Sequence, residues 1–157
     1  LNKILEKHKD KKIFLDLPIG RIKPPNNKYG MDELEKILKL NPQIEFFAIS
    51  NVESGDEIKK LKKSIPKSTN IVPKIESPTG IDNIDEIVSV LDASKKYVML
   101  DHDDLFSKII KSGENPEKFP IYIKKLVDFC ESKDIFLLRT VGVIFSDNEN
   151  RTTQYIK

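Results

Sequence analysis

The chain has 157 residues, 38% of them hydrophobic, which is long enough to bury roughly 68–70% of the surface of the unfolded chain. Lys and Arg (27) nearly balance Asp and Glu (25), and because the two signs are interspersed we expect no nucleic-acid partner. Cys130 is the single cysteine, which excludes an internal disulfide. No apolar run approaches the roughly 20 residues of a membrane span. We therefore expect a cytoplasmic protein without membrane association.

No change of composition marks a linker, so residues 1–157 are predicted to form one domain. The chain begins with Leu1 instead of methionine. We therefore expect it to be processed or to be part of a longer protein.

The first half of the chain alternates strand-like and helical segments. A compact apolar run over residues 13–17 predicts a strand, which Pro18 and Gly20 end. Apolar residues at helical spacing predict helices over 32–40 and 54–64, and the apolar run between them predicts a strand over 44–52.

The same alternation continues in the second half. Strands are predicted over residues 70–76, 97–100 and 135–143, and helices over 81–91, 104–111 and 116–133. Continuous apolar strands separated by helices are typical of a parallel sheet that is covered on both faces. The sequence therefore predicts an α/β fold of five βα units, the last of them unfinished.

Charged side chains follow two successive predicted strands. Lys74 and Glu76 lie two residues apart at the end of one strand, so their side chains point to the same side, and Asp104 follows the next strand. Because the carboxyl ends of parallel strands share one edge of a sheet, Glu76 and Asp104 are expected to converge on one hard cation such as Mg²⁺, with Lys74 beside it. The alternative is an internal ion pair between Lys74 and Glu76.

An acidic cluster surrounds His102. Asp101, Asp103 and Asp104 are also typical of a helix N-terminus, where carboxylates cap free amides. Both interpretations are compatible if Asp101 or Asp103 caps the helix while Asp104 reaches the ion. Asp103 is in addition a candidate substrate-binding residue.

Four further residues near predicted strand ends are candidates for binding or catalysis. Asp16 ends the first strand and Arg21 follows in the same loop, where it would pair an anionic substrate or Asp16 itself. Ser50 and Thr140 lie near the ends of the second and fifth strands and are candidates for hydrogen bonds to a substrate carboxylate, although ordinary strand packing also explains them.

Four segments, in chain order, resemble the pyruvate kinases of the phosphoenolpyruvate/pyruvate barrel superfamily. Residues 14–22 are similar to "DLPGPKIR", residues 47–58 to "VAVSFVRSAEDV", residues 73–87 to "AKIEN..G..N.DEI", and residues 98–105 to "IMVARGDLG". The third match is the most specific.

This resemblance implies a (β/α)₈ barrel, of which the chain holds five of eight strands, the third to the seventh. It implies that Glu76 and Asp104 hold Mg²⁺ or Mn²⁺, that Lys74 supports proton transfer to an enolate, and that the family's catalytic threonine falls near Thr140. It also implies a small anionic keto-acid or enol-acid substrate. The domain that forms the nucleotide lid in the family is replaced here by the short loop 23–30.

Two other functions are weighed against a pyruvate kinase-like one. A barrel without the lid domain also resembles the citrate-lyase and HpcH/HpaI aldolase branch of the superfamily, whose members are metal-dependent C–C lyases. The "PKIES" segment is similar to the metal-binding strand motif of that branch. The third hypothesis is an inactive barrel remnant that acts in assembly, because two open sheet edges would need a homo-oligomer or another partner to cover them.

Overall fold

The structure is a computed structural model that describes residues 1–17 and 29–139. Helices and strands alternate along this part of the chain. The strands are β1 Ile13–Leu17, β2 Ile44–Ile49, β3 Asn70–Ile75, β4 Tyr97–Leu100 and β5 Phe136–Arg139. The helices are α1 Asn2–Lys7, α2 Met31–Leu40, α3 Gly55–Lys62, α4 Pro78–Asp82, α5 Ile84–Ser89, α6 His102–Lys111 and α7 Lys118–Ser132.

All five strands are parallel and follow one another across a single sheet in the order β1-β2-β3-β4-β5. The predicted α/β class with a parallel sheet is therefore confirmed. Because crossovers between parallel strands are right-handed, a strand order that never reverses places the connecting helices on one face of the sheet. The carboxyl ends of all five strands lie at the same edge.

The helix-covered face of the sheet carries the main core. Its strand residues are almost completely buried and pack with the apolar sides of the helices, which burial stabilises by about 25 cal/mol for each Å² of apolar surface. These strand residues are Leu17, Phe47, Ile49, Ile75, Val98 and Leu100.

The opposite face of the sheet carries a row of aromatic rings near the amino ends of the strands. Phe14 stacks on Phe46 with ring centroids 6.0 Å apart, Phe46 meets Tyr97 edge-on at 5.1 Å, and Tyr97 stacks on Phe136 at 5.1 Å. The outer two rings, Phe14 and Phe136, are partly exposed. Helices therefore cover one face of the predicted sheet within the described residues, because the consecutive strand order sends the crossovers to one side, and the cover predicted for the other face stays a prediction.

Several predicted boundaries shift for local reasons. Strand β2 ends at Ile49 and not at Val52, because Asn51 takes a left-handed conformation (φ 59°) that turns the chain. The helix predicted over 81–91 is divided at Asn83 into α4 and α5, and the Asn83 side-chain amide donates to the Glu53 carbonyl oxygen at 2.8 Å. The predicted end of the last strand at Val143 lies outside the described residues.

The remaining helix starts differ less from prediction. The helix predicted from Asp104 begins at His102, because Asp101 caps it, and α7 begins at Lys118. None of the helices within the described residues has the length and apolar character needed to cross a membrane.

Cys130 lies on the buried side of α7, and its burial raises the pKa of the thiol to about 11. Since only the thiolate attacks thiol reagents, about one molecule in a thousand would be reactive at pH 8 even with free access. We expect the folded protein to release almost no thionitrobenzoate from Ellman's reagent, and the protein unfolded in urea to release one equivalent. Release of one equivalent from the folded protein within minutes would contradict this prediction.

Candidate metal centre

The candidate site lies where β3 and β4 end side by side. Glu76 directly follows β3, and Asp101 directly follows β4. The Asp101 N–H donates to the Ile75 carbonyl oxygen at 3.2 Å, which continues the pairing of the two strands by one residue. The parallel ladder therefore brings the two carboxylates together at one edge of the sheet.

Three carboxylates form the centre of the site. One oxygen each from Glu76, Asp101 and Asp104 lies within 4.8 Å of the other two. Two ligands on opposite sides of Mg²⁺ are about 4.2 Å apart, since each bond is about 2.1 Å long. A side-chain movement below 1 Å would therefore let all three oxygens bind one divalent ion.

Glu76 is the buried member of the three, with 7% of its side chain exposed. No donor among the described residues meets the hydrogen-bond geometry at its Oε1, whose nearest cation is the ion-pair partner Lys74, with Nζ 3.2 Å away. Burial raises the pKa of Glu76 and outweighs the opposing charge of Lys74, and the carboxylates of Asp101 and Asp104 add to the rise. Lys74 therefore offsets only part of the cost of burying this carboxylate, and a metal ion would offset more of it.

Lys74 is the cation that faces these carboxylates, and only 2% of its side chain is exposed. Its Nζ lies 3.3 Å from Asp16 Oδ2, 3.2 Å from Glu76 Oε1 and 3.9 Å from Asp101 Oδ2. It also donates to Ser50 Oγ at 3.3 Å. Burial disfavours the charged amine, but the carboxylates of Asp16 and Glu76 outweigh that effect and raise the pKa of Lys74 above its usual value.

Of the residues predicted from sequence, the structure brings five together. The Lys74 ammonium contacts Asp16, Ser50 and Glu76. Glu76 in turn lies next to Asp104 in the three-carboxylate cluster. The predicted ion pair between Lys74 and Glu76 is present, and the same cluster offers carboxylates that a cation could bind, so binding of an ion there stays a prediction.

The other three predicted residues are not part of this group. Asp103 is exposed and lies outside the three-carboxylate cluster. Arg21 and Thr140 lie outside the described residues. Their predicted roles in substrate binding and catalysis therefore stay predictions.

Asp101 is the site residue that the sequence prediction assigned only to capping. It is the N-cap of α6, and its Oδ1 accepts the Asp104 N–H at 3.3 Å. It also joins Glu76 and Asp104 in the three-carboxylate cluster. Its position directly after β4 is equivalent to that of Glu76 after β3, but in the sequence an aspartate at this position is already explained by capping.

His102 begins α6 next to Asp101. It is partly buried, and its ring meets that of Phe119 edge-on with centroids 6.3 Å apart. Burial lowers the pKa of His102, and the charge of Arg139 lowers it further. The aromatic contact places this side chain among packing residues of α7.

The charge of the cluster also suits a divalent cation. Asp16, Glu76, Asp101 and Asp104 contribute four negative charges when ionised, and Lys74 contributes one positive charge. The remaining three negative charges would repel one another strongly in a partly buried site. Hard oxygen ligands with excess negative charge are the donor set that Mg²⁺ and Mn²⁺ bind.

Comparison with known sequences gives a partial match. No protein-family model matches the chain. Pyruvate kinase from Sporosarcina psychrophila is 31% identical over 91 residues, a match that covers 55% of this chain and 14% of that protein. The chain is therefore similar to a pyruvate kinase over part of its length, and it spans only a small share of that relative.

Comparison with solved structures supports the fold. Cryptosporidium parvum pyruvate kinase in complex with ADP aligns with a TM-score of 0.54 and 24% identity, covering 69% of this chain and 22% of that one. RipC from Yersinia pestis aligns with a TM-score of 0.67 and 14% identity, covering 99% of this chain and 68% of that one. At these identities the likeness concerns the fold alone.

Proposed function

We propose that this chain is a pyruvate kinase-like protein that binds Mg²⁺ or Mn²⁺ through Glu76, Asp101 and Asp104 and takes a small 2-keto or enol acid as substrate. The observation that carries the proposal is the buried Glu76 Oε1, which accepts no hydrogen bond from the described residues and faces two further carboxylates. The partial sequence similarity to a pyruvate kinase supports the same function.

The residues around the ion would have distinct tasks. The three carboxylates would hold the cation at the strand ends, and Ser50 and Asp16 would hold the Lys74 ammonium next to it. A divalent ion bound there would polarise a keto acid and stabilise the enolate. Lys74 would add a second positive charge on the side of β1 and β2, and Arg21 and Thr140 remain predicted contributors.

We also infer that the sheet is part of an α/β barrel. Its strands follow chain order without the reversal that doubly wound sheets show, and one face carries the helices while the other carries side chains that a barrel would enclose. Within the described residues β1 and β5 each pair with one neighbour only, so closure would require further strands or a second chain at both edges.

The proposal is tested by metal binding to the wild type and to Glu76→Gln, which keeps the shape of the side chain. An ion that binds only the folded state at ten times its Kd should stabilise it by about 1.4 kcal/mol, which raises the Tm by about 3–6 °C. We expect this rise with MgCl₂ for the wild type and its loss in Glu76→Gln. Glu131→Gln on the exposed side of α7 is the matched control and should respond as the wild type does.

Substrate binding is tested in the same samples by isothermal titration with pyruvate. We expect pyruvate to bind the wild type when MnCl₂ is present and to show no measurable heat after the metal is removed with a chelator. Equal metal responses of the wild type and Glu76→Gln, or pyruvate binding that does not depend on the ion, would contradict the proposed function.

A further inference from the structure

The candidate metal centre holds more negative charge than one divalent ion neutralises. Among the described residues, four carboxylates lie around the Lys74 ammonium, so these five side chains together with a bound divalent ion would carry one net negative charge. The nearest cation is already engaged, because Lys74 lies within 4 Å of three of the carboxylates and donates to Ser50 Oγ. Arg139 at the end of β5 is exposed, so solvent weakens its charge, which still acts on His102 next to Asp101.

We propose that Asp101 makes this site select a monoanionic 2-keto acid over dianionic or phosphorylated ligands. The inference rests on the proposed function and adds the charge class of the substrate. Asp101 is the residue responsible because Asp104 and Glu76 alone, with Lys74 and Asp16, would leave a site that is neutral once the ion is bound. The additional carboxylate tightens the hold on the cation and repels a second negative charge on the ligand.

The burial of Glu76, Lys74 and Asp101 makes this discrimination effective. Glu76 and Lys74 are almost fully buried, and the side chain of Asp101 is 12% exposed. Charges in such surroundings are screened less than charges on the surface. A ligand that shares the ion with Asp101 would therefore experience its charge at close range, and a monoanion such as pyruvate would be repelled less than a dianion.

Two planar ligands of nearly equal shape measure this preference. Oxalate is a dianion, and oxamate is the monoanion in which an amide replaces one carboxylate. Their intrinsic affinities for Mn²⁺ differ, so the informative quantity is the ratio of the oxalate to the oxamate association constant, compared between the wild type and Asp101→Asn. Asparagine can still accept the Asp104 N–H, so the cap of α6 is retained while the charge is removed.

We expect two changes of opposite sign in Asp101→Asn, measured by isothermal titration. The affinity for Mn²⁺ alone should fall about tenfold or more, and the oxalate-to-oxamate ratio on the manganese-loaded protein should rise about tenfold. Damage to the fold would weaken all three ligands together and could not raise the ratio. Asp85→Asn is the matched control, because Asp85 is an exposed aspartate in the first turn of α5 and should change neither quantity.

The possible outcomes separate the two proposals. A wild type that binds Mn²⁺, combined with an unchanged or lower ratio in Asp101→Asn, overturns the charge selection and leaves the proposed function standing. A wild type that does not bind Mn²⁺ contradicts the proposed function itself. If Asp101→Asn does not fold, Asp101→Ser, which also provides a capping oxygen, gives the same measurement and is judged by the same ratio.

Discussion

Replacing Lys74 with methionine should destabilise the metal-free protein by about 3–5 kcal/mol, the usual cost of removing one partner from a buried ion pair. Methionine keeps most of the side-chain volume, so the loss comes from charge and not from a cavity. Without Lys74, the buried Glu76 and its neighbour Asp101 have no counter-charge within 4 Å among the described residues. Urea unfolding of both proteins in the presence of a chelator measures the difference.

Two conditions should restore part of the lost stability in Lys74→Met. Mg²⁺ supplies the missing positive charge and should narrow the deficit. Acid should also reduce the loss of stability, because burial raises the pKa of Glu76. A carboxyl group whose pKa is raised in the folded state stabilises the protein below its unfolded pKa of about 4.3, and this stabilisation is lost as the pH rises through the folded-state pKa. Removal of Lys74 removes the residue that lowers the Glu76 pKa, so the loss of stability should be largest at neutral pH.

The matched control is Lys125→Met. Lys125 pairs with Asp82 at 2.6 Å, but both side chains are more than half exposed. Exposed pairs of this kind contribute about 0–1 kcal/mol, so we expect a small change that neither Mg²⁺ nor acid reverses. If Lys74→Met is as stable as the wild type in chelator, the buried carboxylates do not depend on this amine.

The sequence predicted the order and type of the strands because each one is a short apolar run between turn residues. Strand β3 was predicted despite Pro73, and the structure shows how the strand accommodates it. The recorded pairing with β2 extends to Pro73, and the pairing with β4 begins at Lys74. The proline therefore lies at the change from one neighbour to the next, where the loss of its N–H is tolerated.

The close approach of Glu76 and Asp104 was predictable, because topology alone places the ends of adjacent parallel strands together. The role of Asp101 was not predictable from the same pattern. An aspartate before a helix is fully explained by capping, and only coordinates show that its second oxygen is available beside Glu76. The division of the predicted helix 81–91 was equally inaccessible, because Asn83, at which it divides, contacts Glu53, thirty residues earlier in the chain.

Gly80→Ala is the second substitution with a large expected effect. Gly80 is buried in α4, and a Cβ atom there would lie 2.7 Å from the Val52 carbonyl oxygen. Alanine normally improves a helix by about 1 kcal/mol relative to glycine, but a backbone oxygen cannot rotate away, so we expect a net destabilisation of about 1–3 kcal/mol.

The same clash should reach the candidate metal centre. The Val52 N–H donates to the Lys74 carbonyl oxygen at 3.2 Å, and the Gly80 N–H donates to Ser77 Oγ at 3.1 Å, directly after Glu76. Displacement of Val52 would therefore move the segment that holds both Lys74 and Glu76, and we expect Gly80→Ala to weaken Mn²⁺ binding as well as stability, measured by titration and by urea unfolding. Gly30→Ala is the control, because its Cβ would meet only Glu33 Oε2 at 3.8 Å, and it should cost below about 1 kcal/mol with unchanged metal affinity. A Gly80→Ala protein with wild-type stability would contradict this prediction. It would show that Val52 and α4 can separate without cost, and that the strands alone fix the distances between the carboxylates.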